Sequence, residues 1–128
     1  MRVLLVEDDS STAKSIELML KSEGYIIDTT DLGEEGIDLG RIYDYDIIVL
    51  DLMLPDMDGY AVMQCLREKE TTRDIPVVAI SANAMPKDLA RGKAAGFVEY
   101  LTKPLDVDKL LQVVDDVIVK RMDSAPGN

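Results

Sequence analysis

The chain has 128 residues, with 25 acidic against 14 basic side chains and a formal net charge of -11. That length leaves room for one domain with a real core and not two, and so acidic a surface argues against direct nucleic-acid binding by this segment. A 47% hydrophobic share without Trp and with one Phe points to an aliphatic interior of the α/β kind.

In chain order, "RVLLV" (Arg2 to Val6) predicts a first buried strand, far too short for a signal-peptide core or a membrane span. After "EDDSS", Ala13, Ile16, Met19 and Leu20 recur at helical spacing until Gly24 ends the helix. "YIIDTT" (Tyr25 to Thr30) alternates in character and reads as a strand nearer a sheet edge. "GEEGIDLGRI" predicts a weak helix, because Gly33, Gly36 and Gly40 each cost it up to about 1 kcal/mol relative to Ala. "DIIVL" is a third strand, and "GYAVMQCLREKE" a third helix with Val62, Met63 and Leu66 facing inward. "IPVVAIS" (Ile75 to Ser81) is a fourth strand, "MPKDLARGKAAG" (Met85 to Gly96) a short helix with a thin apolar stripe, and "FVEYLTKP" (Phe97 to Pro104) a fifth strand. A final helix runs from Asp106, with Val107, Leu110, Leu111, Val114, Val117 and Ile118 at helical spacing. "MDSAPGN" (Met122 to Asn128) reads as a frayed tail or the start of a linker, so the domain is expected over residues 1–121.

Strands alternating with helices in this way imply a doubly wound, mostly parallel sheet of five strands with right-handed crossovers. Cys65 is alone, which excludes an internal disulfide and suits a reducing cytosol. A soluble cytoplasmic protein with no membrane partner is expected.

The strand "DIIVLD" poses the chemical question. Strands buried on both faces read as continuous aliphatic runs, so Asp51 belongs where the backbone leaves the sheet, and it needs a cation nearby or other work. The other strand ends are polar too: Glu7, Asp8 and Asp9 after the first, Ser81 after the fourth, and Thr102, Lys103 and Pro104 after the fifth. In a parallel sheet these ends share one edge, the edge where sites form. An oxygen-only cluster without His or Cys suits a hard ion, Mg²⁺ in particular. Each signal alone has a plain structural explanation: "EDDSS" as a helix cap, Lys-Pro as a turn, Ser81 as a loop hydroxyl. Their coincidence on one edge favours a site.

At these residues the chain resembles the receiver domain of two-component response regulators. "LLVEDD", "DIIVLDLMLPDMDG", "PVVAISA" and "YLTKP" carry the resemblance, which covers essentially Arg2 to Lys120. It implies a flavodoxin-like fold with sheet order 2-1-3-4-5. It makes Asp51 the phosphoacceptor, Asp8 a direct Mg²⁺ ligand, Glu7 an acid acting largely through metal-bound water, and Met53 the donor of a backbone carbonyl to the metal. Ser81 would be the switch hydroxyl, Tyr100 the switch aromatic and Lys103 the phosphate-contacting cation, with a cis peptide bond expected between Lys103 and Pro104. Two positions depart from the commoner pattern: Ser81 is the rarer of Ser and Thr at its place, and Met53 is apolar where a polar side chain is frequent. Residues up to about Asp58 resemble the receiver of a winged-helix cell-cycle transcription factor. From Pro76 onward, "SANAMPKD" and "AGFVEYLTKPL" resemble receivers attached to hybrid kinases or standing alone, a join that a chimeric or reconstructed origin would also produce.

The resemblance implies a signalling switch that assists its own modification and is not a metabolic enzyme. Its partner would be a sensor histidine kinase or histidine phosphotransfer domain, docking on a face that includes Ser11, Thr12, Ser15 and Met19 of the first helix. The protein would be a monomer or a phosphorylation-dependent homodimer, and the surface of the fourth helix, fifth strand and fifth helix would carry the output. Two other classes compete. A haloacid-dehalogenase-type phosphatase needs a second acid two residues after its nucleophile, where this chain has Met53. A flavodoxin-like electron carrier needs a hydroxyl- and glycine-rich phosphate loop after the first strand, where "EDDSS" would repel a flavin phosphate.

Overall fold

In the computed structural model, which describes residues 1–123, the strands β1 (Arg2–Val6), β2 (Ile26–Thr30), β3 (Ile47–Asp51), β4 (Val77–Ser81) and β5 (Glu99–Thr102) form one parallel sheet in the order β2-β1-β3-β4-β5. Of the tail expected over residues 122–128, residues 124–128 lie outside the described residues. Helices α1 (Ser10–Ser22), α2 (Gly33–Ile42), α3 (Gly59–Glu68), α4 (Pro86–Ala95) and α5 (Val107–Asp123) fill the crossovers and the carboxyl end. The predicted fold class and sheet order are those observed.

The two-residue period of the strands divides the core into two layers. Val3, Leu5, Ile47, Val49, Val78 and Ile80 point to one face and meet Ile16 and Leu20 of α1 and Leu110, Val114 and Ile118 of α5. Leu4, Val6, Ile48, Leu50, Val77 and Ala79 point to the other and meet Ile37 of α2 with Val62, Met63 and Leu66 of α3. Each such aliphatic side chain stabilises the fold by roughly 1.5–3 kcal/mol when fully buried. Continuous aliphatic strands are therefore what this topology demands.

The expected weakness of α2 has a structural counterpart. A Cβ at Gly36 would stand 2.8 Å from Val6 Cγ2, so the glycine that costs helix propensity lets the helix lie close against β1. α4 does have a thin apolar stripe, with Gly92 its one buried residue.

The strands start later than the aliphatic runs suggest. Asp46 belongs to the turn before β3, where its carboxylate accepts the Arg2 N–H at 2.7 Å and its own N–H donates to the Arg2 carbonyl. Phe97 is core, but its N–H closes the end of α4 on the Gly92 carbonyl, behind Gly96 at φ 97°. At the other end, α5 runs through Asp123, two residues past the expected boundary of 121. Arg121 in this last stretch donates to the carbonyls of Tyr45 and Asp46 at 3.2 and 2.7 Å, tying the helix to the turn before β3.

Candidate active site at the carboxyl edge of the sheet

Strand order reverses at β1 and β3, and a crevice opens at their carboxyl ends. Glu7 follows β1 and Asp51 closes β3, with β1 and β3 paired in register from Val3 with Ile47 to Val6 with Leu50. Asp51 pairs with Ile80 and Ser81 with Thr102, which brings Lys103 level with the two acids.

Asp51 is 2% exposed, as is Glu7, so two carboxylates are buried side by side. The Lys103 ammonium lies 3.1 Å from Asp51 Oδ2 and 3.0 Å from Glu7 Oε1. Asp51 Oδ1 accepts the N–H of Met53 at 2.9 Å. Burial, reinforced by the adjacent Asp51, pushes the Glu7 carboxyl up to about 7, with Lys103 acting in the opposite sense. Burial alone would lower Lys103, but Glu7 and Asp51 outweigh it and hold the ammonium above the ordinary lysine range.

The donor set fits a small hard cation. Glu7, Asp8 and Asp51 each bring a carboxylate oxygen within 4.8 Å of the others, with Glu7 and Asp51 buried and Asp8 exposed at the mouth. Glu7 Oε1 is buried without an aligned hydrogen bond despite its closeness to Lys103, so a donor atom is left over for a ligand. One ammonium facing three carboxylates leaves an excess of negative charge, and all-oxygen donors of this kind suit Mg²⁺.

"EDDSS" divides its labour. Asp9 caps α1, accepting the Ser11 N–H at 3.2 Å and the Thr12 hydroxyl at 2.7 Å, while Glu7 and Asp8 face the crevice. The Thr12 hydroxyl, joined by the backbone amides of Ser11 and Thr12, holds the Asp9 carboxyl below its ordinary range against the opposing effect of burial.

Ser81 is buried at 2% exposure beside Asp51, its hydroxyl oxygen accepting the Asn83 N–H at 3.1 Å. Tyr100, half-buried, donates its hydroxyl to the Asn83 carbonyl at 2.9 Å. Both side chains thus hold the same residue, one at its N–H and the other at its carbonyl. The Tyr100 ring lies over Gly92 of α4, 2.6 Å from where a Cβ would stand. The Lys103–Pro104 peptide bond is cis, as the resemblance implied.

Of the residues expected on a partner face, Ser11 and Ser15 are exposed and Thr12 is partly so. They line one side of a groove of about 410 Å³ whose other side is Lys103, Pro104, Leu105 and Val107. Met19 is a correction: it is half-buried and packs on the core beneath α1, because the helical period that carries Ile16 and Leu20 inward takes Met19 partway with them. Leu18, 56% exposed, is the apolar side chain that α1 turns outward.

Sequence reasoning missed Asp56. Its two carboxylate oxygens accept the N–H groups of Gly33 and Glu34 at 2.8 and 3.0 Å, across more than 20 residues of chain. The signal present in the sequence was that α2 begins after Leu32, which has no side chain able to cap it.

Comparison with known proteins agrees with this geometry. The family model described as the response regulator receiver domain matches residues 3–115. The cell cycle response regulator CtrA of Brucella ovis is 52% identical over 118 residues, covering 92% of this chain and 50% of the relative. The same identity and coverage hold for CtrA of Brucella abortus. The chain thus spans about half the length of the curated relatives it matches. Among solved structures, a Francisella response regulator receiver domain superposes with a TM-score of 0.87 at 29% identity, covering 93% of this chain and 97% of that one. The receiver domain of a sensor histidine kinase from Pseudomonas aeruginosa, solved with a magnesium ion in its active site cleft, superposes at 0.83 with 33% identity, covering 91% and 96%. Relatives of both kinds suggested by the two halves, cell-cycle regulators and kinase-borne receivers, are therefore present, and the match to the former runs beyond the amino-terminal half. This chain belongs to the response regulator receiver domain family.

Proposed function

We propose that the chain is a phosphorylation-controlled switch in which Asp51 accepts a phosphoryl group from a phosphohistidine on a histidine kinase or phosphotransfer domain. The observation that carries this reading is the Asp51 carboxylate itself, buried at the end of β3, oriented by the Met53 N–H and 3.1 Å from the Lys103 ammonium. An Asp51 oxygen attacks phosphorus in line, the O–P bond forms as the N–P bond breaks, and the electron pair of the broken bond stays on the imidazole nitrogen. Lys103 offsets charge on the phosphoryl oxygens. Glu7, Asp8 and Asp51, with the Met53 carbonyl, would hold Mg²⁺, which when bound supplies further charge neutralisation there. Water later hydrolyses the acyl phosphate, so the domain assists its own modification and turns over no metabolite. A dehalogenase-type phosphatase is disfavoured because Met53 offers no acid at the required place.

The switch follows from the shared hold on Asn83. A dianion at Asp51 draws the Ser81 hydroxyl, which then gives up the Asn83 N–H, and Tyr100 is released from the Asn83 carbonyl to turn inward. α4 moves most cheaply because so little of it is buried. The altered surface of α4, β5 and α5 would mediate output or homodimerisation. The α1 groove with Ser11, Thr12 and Ser15 would receive the kinase or phosphotransfer partner. No helix among the described residues is long and apolar enough to cross a membrane, in keeping with action in the cytoplasm.

Phosphoramidate, a small donor with a P–N bond, tests the reaction. The parent should gain an acyl phosphate when Mg²⁺ is present and lose that ability in chelator. Equal labelling with and without Mg²⁺ would contradict the metal's part in the site.

A further inference from the structure

The loop between β3 and α3 departs from the sheet at Asp51 and returns at Gly59. Its neck is closed by a bridge between Met53 and Asp58 and by the Gly59 N–H on the Leu52 carbonyl at 3.0 Å. Its tip is closed by Asp56, whose carboxylate takes the first two amides of α2, and by Met57, whose side chain lies against Gly33. Met53 at the neck is the residue whose N–H orients Asp51 Oδ1. A continuous set of contacts therefore runs from the amino end of α2 through Asp56 to the carboxylate of Asp51.

Resting on the phosphoacceptor role proposed above, we infer that Asp56 is a positioning residue for Asp51, and that the first turn of α2 is coupled to the occupancy of the site. Asp56 does more than cap a helix. Gly33 and Glu34 belong to α2, so the two bonds tie the tip to a separate element by polar contacts that add to the apolar one of Met57 on Gly33. Without them the tip keeps only the apolar packing of Leu54 and Met57, and Met53 gains freedom to rock about the bridge at the neck. The Asp51 oxygen that Met53 orients then samples more directions. The same bonds hold the Asp56 carboxyl below its ordinary range, through Glu34 first and Gly33 next, consistent with a carboxylate that stays charged under working conditions. Coupling of this kind is reciprocal: if Asp56 improves the site, filling the site must tighten Asp56 on the amides of α2.

The test uses the whole chain and beryllofluoride with Mg²⁺ as the probe. Asp56→Ala should raise the beryllofluoride midpoint about three- to tenfold, less than the roughly 10- to 100-fold expected for groups that hold a metal ligand directly, because Asp56 acts through Met53. Asp56→Asn, which keeps one acceptor oxygen, should fall between. Beryllofluoride should slow amide exchange at Gly33 and Glu34 in the parent and not in Asp56→Ala. A purely structural cap is separated by Ile37→Val, which loosens α2 against the core without touching the loop. That variant should lose thermal stability and keep the parent midpoint. The inference is overturned if Asp56→Ala behaves like Ile37→Val, or if exchange at Gly33 and Glu34 ignores beryllofluoride in the parent. Failure of the phosphoacceptor reading would appear elsewhere, as undiminished labelling of Asp51→Asn. The link itself is still tested without any probe, because the Met53 amide resonance must move in Asp56→Ala, and an unmoved resonance overturns it.

Discussion

Gly59 opens α3 immediately beside the strand end that carries Asp51. A Cβ added there would lie 2.5 Å from Leu52 Cα and 3.0 Å from the Asp51 carbonyl oxygen. Ordinary carbon contacts are about 3.5–4.0 Å, so the methyl overlaps backbone by about 1 Å. Leu52 cannot step aside, since its N–H is bonded to the Ile80 carbonyl and its carbonyl to the Gly59 N–H, both at 3.0 Å. Overpacking of this kind costs about 1–3 kcal/mol, and contact with backbone puts Gly59→Ala toward the upper end. The helix-propensity gain is at most about 1 kcal/mol and smaller at a first turn. The net loss is then about 1–2 kcal/mol, or roughly 4–8 °C in Tm for a chain of 128 residues. Gly40→Ala is the internal control: its Cβ would meet Thr72 Cγ2 at 3.4 Å and Leu66 Cδ2 at 3.6 Å, ordinary contacts, so propensity should win by about 0.5–1 kcal/mol. Urea denaturation at constant slope reads both. Gly59→Ala should also weaken beryllofluoride binding, because the displaced backbone is that of Asp51 and Leu52, and Gly40→Ala should not. A Gly59→Ala protein as stable as the parent, or a Gly40→Ala protein that loses as much, would refute the packing account.

Other outcomes follow from the site. Asp8→Asn should weaken Mg²⁺ binding at least about tenfold by tryptophan-free readouts such as amide shifts or calorimetry, since one of three carboxylates is neutralised; parent-like titration would remove Asp8 from the metal set. Ser81→Ala should still be labelled by acetyl phosphate, yet show much smaller beryllofluoride-induced shifts from Ser81 to Tyr100, because Asn83 no longer exchanges its partner; full-sized shifts there would sink the coupling. Lys103→Met should slow labelling sharply and leave Glu7 and Asp51 facing each other without their cation, and a rate equal to the parent's would mean that Lys103 does not serve the phosphoryl group.

What could be read in advance followed period and punctuation. The aliphatic runs of β1, β3 and β4 are continuous because both faces are buried, and their polar ends are informative because a parallel sheet gathers them on one edge. Strand starts were less legible. Asp46, Ile75 and Phe97 extend the runs in sequence, but Asp46 is engaged by Arg2 in a turn and Phe97 by the end of α4, interactions made with residues far away or across a helix end. The close approach of Gly36 to Val6 and the capping of α2 by Asp56 depend on tertiary contact, which propensity does not contain. Met19 was ambiguous for a geometric reason: a residue beside the apolar stripe of α1 belongs to both faces, and packing decided it.

The central claim is that one carboxylate, Asp51, accepts the phosphoryl group. Treating the parent and Asp51→Asn with acetyl phosphate and Mg²⁺, then locating the added phosphoryl group by mass spectrometry, tests it most directly. The account predicts one phosphoryl group on the peptide that contains Asp51 in the parent and none in Asp51→Asn, whose circular dichroism should match the parent because the change is nearly isosteric. Undiminished labelling of a folded Asp51→Asn protein would contradict it.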